Sequence, residues 1–146
     1  MAIIDGVRSY LKTCPLLKGG KINVNYLEGE AVKYSIDVMT VDPVIKKYPD
    51  GGSQRQFLFT LASREQYDQE TLANMDIARF YEDFAAWIEE QEANRNYPAI
   101  GAGCTPTHIG IVTSGYLFSI DGRTARFQIQ LKLVYNKERM TRSWEL

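Results

Sequence analysis

The chain has 146 residues, 45% of them hydrophobic and 24% charged, which suits one domain able to bury about two-thirds of its unfolded surface without a metal or a disulfide. With 17 basic against 18 acidic residues and a net charge of -1, it lacks the basic excess by which proteins grip nucleic acid through its phosphates. No apolar run approaches the ~20 residues of a membrane helix, residues 1–6 lack the basic start of a signal peptide, and Cys14 and Cys104 show no metal-ligand spacing. A soluble intracellular protein with two reduced thiols and no membrane partner is expected.

Ile3, Ile4, Val7, Tyr10 and Leu11 recur at helical spacing, so residues 2–12 read as a short amphipathic helix. Cys14-Pro15 ends it, because the residue before a proline avoids helical angles, and Gly19-Gly20 turns the chain. Ile22, Val24 and Tyr26 alternate with polar residues as a strand face does, Glu28-Gly29-Glu30 turns, and Tyr34, Ile36 and Val38 alternate again. Pro43 interrupts this run, which predicts an edge or a bulge before extended structure resumes over residues 44–48. Pro49-Asp50-Gly51-Gly52 is a turn, and Phe57, Phe59 and Leu61 share a face beyond it, predicting a hairpin with a wide loop over residues 44–62.

Residues 69–93 carry the strongest helical signal. Ile77, Phe80, Tyr81, Phe84, Trp87 and Ile88 fall on one stripe, with Arg79, Glu82, Asp83, Glu89 and Glu90 opposite. Gly101 and Gly103 mark a loop, and Ile109, Ile111 and Thr113 begin a strand. Asp121-Gly122 is a hairpin turn between residues 116–120 and a long last strand. There Phe127, Ile129, Leu131, Leu133 and Tyr135 alternate with Arg126, Gln128, Gln130 and Lys132, one side for a core and the other for water or a polar partner. The order of elements predicts an α+β fold. A mostly antiparallel or mixed sheet is packed by one long helix and a short N-terminal helix, as a single domain over residues 1–136 with a C-terminal tail at 137–146.

Catalytic patterns are sparse. His108 follows Cys104 by four residues, but Thr105-Pro106 between them rules out a shared helical face, so a loop thiol beside a strand histidine is favoured over a reactive pair. Gly101-Ala102-Gly103 lacks the third glycine and the Gly-Lys-Ser/Thr of a phosphate loop, and Ser114 in Thr-Ser-Gly is no nucleophile elbow. No catalytic residue, metal or cofactor is expected.

Three features suit binding instead. Lys46 and Lys47 with Arg55 flank the predicted hairpin loop, where a solvated charged loop is the bland alternative to a basic patch. Glu89, Glu90 and Glu92 crowd the C-terminal end of the long helix, where negative charge opposes the helix dipole. That placement serves solubility or a contact with basic groups on a neighbour. Trp144 follows Lys137, Arg139 and Arg142 in the tail and reads as a clamp on its own domain, a loose end, or an anchor for a partner.

The same segments, in order, resemble a known family. Ile3-Ile4-Asp5-Gly6-Val7-Arg8-Ser9-Tyr10-Leu11, Tyr34-Ser35-Ile36-Asp37, Lys46-Lys47-Tyr48-Pro49-Asp50-Gly51 and Arg55-Gln56-Phe57-Leu58-Phe59 are its first parts. Phe80-Tyr81-Glu82-Asp83-Phe84-Ala85-Ala86-Trp87-Ile88-Glu89-Glu90-Gln91, Thr113-Ser114-Gly115-Tyr116-Leu117-Phe118 and Ala125-Arg126-Phe127-Gln128-Ile129-Gln130 complete it. Over about residues 1–136 the chain resembles the small minor capsid or tail-terminator proteins of long-tailed phages and prophages of Gram-positive bacteria.

That resemblance implies an α+β subunit that assembles with itself into a ring, commonly hexameric, at the head-proximal end of the tail tube. The ring caps tube polymerisation and meets the head-completion connector, and DNA passes through its lumen without being gripped. It also implies assembly in the bacterial host cytoplasm and a final place in the virion tail, with no active site to carry over. A ring that closes uses two different patches on each subunit, and the acidic helix end and the basic hairpin loop are candidates for them. The competing readings are a cytosolic protein-binding accessory module, a small enzyme built on Cys104 and His108, and a nucleic-acid binder.

Overall fold

The structure, a computed structural model, describes residues 2–17, 22–24, 33–66, 71–122 and 124–139. The turns expected at Gly19-Gly20 and Glu28-Gly29-Glu30, the strand position Tyr26, and Trp144 in the tail all lie outside the described residues.

Helix α1 covers Ile3–Leu11 and is followed by a 3-10 turn over Pro15–Leu17. Asp5 accepts a bond from the Ala2 N–H at 3.0 Å, which places a carboxylate in the first turn where the helix dipole favours it. Val7, Tyr10 and Leu11 are buried, as the apolar spacing requires. Strands β1 (Ile22–Val24), β2 (Lys33–Val38), β3 (Val44–Lys47) and β4 (Ser53–Gln66) come next. Helix α2 (Thr71–Ala93) then leads to β5 (Cys104–Asp121) and β6 (Thr124–Lys137).

The six strands form one sheet in the order β1-β2-β4-β6-β5, and β3 pairs with the first part of β4. Among the described strands only β1 and β2 run parallel and the other pairings are antiparallel, so the sheet is mixed and mostly antiparallel. The spine is β4 against β6, paired without a slip from Ser53↔Lys137 to Gln66↔Thr124. Pro43 falls where the chain leaves β2 and re-enters as β3, so both strands lie on the same side of β4.

Two expectations change in detail. The loop between β3 and β4 is tight, not wide: the Tyr48 N–H donates to the Gly52 carbonyl at 2.8 Å, and Gly51 takes the positive φ of 93° that the reversal demands. The strand expected from Ile109 begins at Cys104 and continues unbroken to Asp121, with Pro106 tolerated because β5 is an edge strand. Register shifts interrupt its pairing with β6 at four places, which the alternation pattern alone does not show.

Both helices cover the same sheet face. Ile77, Tyr81, Phe84 and Ile88 from α2 and Val7 and Leu11 from α1 pack on Ile36, Phe59, Leu61, Ile129, Leu131 and Leu133. The outward residues Arg79, Glu82, Asp83, Glu89 and Glu90 are exposed, as the helical stripe predicts. Tyr81 adds a polar anchor. Its hydroxyl shares a 2.6 Å bond with Ser63 and donates to the Phe127 carbonyl at 3.0 Å. Among the described residues, no helix is long and apolar enough to cross a membrane.

One close approach fixes the packing of α1. A Cβ built on Gly6 would lie 2.0 Å from the Ala99 carbonyl oxygen, so α1 meets the segment after α2 at a distance only glycine permits. Gly6→Ala should lower stability by about 1–3 kcal/mol, read as a lower urea midpoint, because backbone rather than a side chain must move. Tyr81→Phe should cost about 1–2 kcal/mol in the same measurement, since Ser63 and the Phe127 carbonyl each lose a partner in a buried place.

Candidate functional site

The sheet face turned away from the helices is built from the polar half of the strand alternation. Cross-strand partners share a face, so Ser35 and Asp37 of β2 line up with Ala62 and Thr60 of β4, and these with Gln128 and Gln130 of β6. The polar side chains are tied to one another. Arg126 pairs with Asp37 and donates through Nε to Gln128 at 3.0 Å. Gln128 and Gln130 both reach the Tyr116 hydroxyl, at 2.6 and 3.2 Å, and Thr113 bonds to Gln130 at 3.1 Å. Ser35 donates to the second Asp37 oxygen at 2.8 Å.

These bonds make the face drier than a water-facing row of strand side chains would be. Ser35 and Ala62 are fully covered and Gln128 is buried, since the longer Arg, Gln and Tyr side chains lie over the short ones. Thr60, between Asp37 and Gln130, is 4% exposed and its hydroxyl has no hydrogen-bond partner. Such a group is costly unless something else satisfies it.

The predicted basic patch divides across the sheet. Lys46 lies opposite Gln54 and so on the outer face, near enough to Tyr48 for its ammonium to sit 5.9 Å from the ring centre. Lys47 lies opposite Ser53 and Arg55 opposite Tyr135, both on the helix-bearing side. Arg55 Nε donates to Ser53 Oγ at 2.9 Å.

The acidic cluster divides as well. Glu89 and Glu90 are exposed on the outer side of α2. Glu92 instead turns inward, where one oxygen meets His108 Nδ1 at 3.0 Å and the other accepts the Ile109 N–H at 2.8 Å. Burial pushes the Glu92 carboxyl up, but the Ile109 N–H, the His108 ring and the Tyr97 hydroxyl outweigh it and hold the group below its usual range. Glu92 thus ties the end of α2 to the start of β5.

His108 is engaged by Glu92, while Cys104 faces elsewhere. Cys104 lines an open cleft of about 520 Å³ beside Ile100, Tyr135, Lys137, Glu138 and Arg139, and His108 is not among its walls. The alternative Cys–His pair is therefore not brought together by a shared cleft. A second groove, about 300 Å³, runs between α2 and β5 along Ile77, Tyr81, Ala85, Gly115, Leu117 and Phe127. Among the described residues, no group of three or more His, Cys, Asp or Glu side chains is placed to hold a metal.

The outer-face network was only half visible in the sequence. Alternation singled out Arg126, Gln128, Gln130 and Lys132, but their partners Asp37 and Tyr116 come from strands far along the chain. The exposed apolar residues Leu117, Phe118 and Ile120 near the end of the β5–β6 hairpin had no sequence signal either, since each sits in an ordinary strand pattern. No protein-family model matches the sequence, and no curated protein is significantly similar to it.

Glu92 makes a pH-dependent contribution to stability. Its folded carboxyl titrates below its unfolded value, so the stabilisation is present above about pH 4.5 and is lost as the pH falls through the folded pKa. Glu92→Gln should cost about 1 kcal/mol near neutral pH, a low figure because the pair is partly exposed. Chemical denaturation of both proteins between pH 3 and pH 7 should show the gap closing on the acid side.

Proposed function

We propose that this chain is a structural assembly subunit of the tail-terminator kind, closing into a ring at the head-proximal end of a phage tail tube. The observation that carries the reading is the order of the family-like segments across residues 1–136. The α+β class agrees with what the resemblance implies, and both described helices pack on one side of a mostly antiparallel sheet.

The surface chemistry supports the same reading. The largest described polar network is spread across a broad sheet face, and its Arg126 and Asp37 are already paired with each other. Spread-out, mutually satisfied groups suit a contact surface better than a reaction centre, in which titratable groups converge with separated pKa values. The exposed apolar residues near the β5–β6 turn add a second surface of the kind that assembly covers. On this reading the partners are further copies of the chain, the tail-tube subunit and the head-completion connector, while DNA crosses the lumen without specific contacts. The subunit assembles in the host cytoplasm and ends in the virion tail.

Negative-stain electron microscopy of the purified chain, with and without tail-tube subunits, tests this. Rings with a central hole, and tubes shortened or capped at one end when the chain is present, are the expected result. Tubes of unchanged length and no rings in either preparation would remove the reading and leave the accessory binding module in its place.

A further inference from the structure

Among the described residues, two surfaces carry opposite charge. On the outward face of α2, Glu82, Asp83, Glu89 and Glu90 are exposed, and the cation of that face, Arg79, is paired with Asp76 at 3.3 Å. On the opposite side no described helix covers the sheet. Its described strand side chains there include Lys46, Arg64, Arg126 and Lys132 against the carboxylate of Asp37, which Arg126 already neutralises. One side is an acidic ridge and the other a basic floor.

The floor also has an unmet polar group. Thr60 is 4% exposed on that face, and its hydroxyl lacks a hydrogen-bond partner. Gly110 stands opposite Lys132 on β5, and the His108 ring fills the space a side chain there would take, 2.8 Å from the position of a Cβ. Phe118, 58% exposed, lies against Arg126 with 5.3 Å between guanidinium carbon and ring centre, and adds an apolar rim.

We infer that the bare sheet face is a docking site for the acidic outer face of helix α2 from a second copy of this chain. Charge complementarity selects that occupant. The pairs Glu82–Asp83 and Glu89–Glu90 are seven residues apart, about 10 Å along the helix axis. Lys46 and Lys132 are four residues apart along β4 and on either side of it, about 16 Å in all. Flexible lysine side chains take up the difference. The two surfaces point in opposite directions and differ from each other, so the contact runs head to tail and leads to a closed ring or an open chain. This deepens the assembly reading and rests on it only for ring closure.

The test uses light scattering and sedimentation of the full chain at low and high salt. The wild type should associate at low salt and come apart toward 1 M salt, where screening reaches only about 3 Å. The double variants Glu89→Lys with Glu90→Lys, and Lys46→Glu with Lys132→Glu, should each weaken association by about tenfold or more while keeping the wild-type circular dichroism. An equimolar mixture of the two should recover it, since each altered face then meets its complement. A wild type that stays a single chain at low salt, a variant that associates as the wild type does, or a mixture that fails to recover overturns the inference. So does duplex DNA retained by the wild type and released by the Lys46→Glu, Lys132→Glu variant with self-association unchanged. Rings that persist in both variants remove this contact and leave the tail-terminator reading. Charge-dependent association without rings on tail-tube subunits does the reverse.

Discussion

Helix α2 is held on the sheet by an apolar stripe between two polar fastenings, and the rest of the molecule depends on that seat. Phe84 and Ile88 are fully buried against the sheet, Tyr81 bonds to Ser63 and the Phe127 carbonyl, and Glu92 bonds to His108 and the Ile109 N–H. Burial supplies most of the favourable free energy but is indifferent to small slides along the helix axis. The hydrogen bonds are directional, so they fix the register and rotation of the helix. With α2 so placed, its outward carboxylates are fixed relative to the sheet.

The division of labour between the sheet faces follows. The inner face is apolar and closed by α1 and α2. The outer face is polar yet partly dry, because Arg126, Gln128, Gln130 and Tyr116 satisfy one another across strands instead of reaching into water. A network of that kind stiffens a surface before any partner arrives, which lowers the entropy lost on docking.

Much of the fold was legible because the strongest signals were periodic. The stripe from Ile77 to Ile88 gave α2, and the alternation of Phe127 to Tyr135 gave β6 and its inward side. What alternation does not encode is pairing. The parallel run of β1 beside β2, the shared side of β4 used by β2 and β3, and the bulges in β5 all depend on contacts distant in sequence. The candidate surface was legible in the same measure. Glu89 and Glu90 were found on their helix face, but proximity in sequence wrongly grouped them with Glu92, whose place on the helix turns it inward. Lys46, Lys47 and Arg55 were grouped by their shared charge, and the pleat of the hairpin separates them.

The irregular edge of β5 has a consequence for the chain in solution. An outer strand of 18 residues would, if flat and regular, offer a long row of unpaired backbone groups to any extended chain nearby. Four breaks in its register and Pro106 leave only short stretches on which an intruder could zip up. At high concentration the folded chain is thereby shielded from growing into fibres.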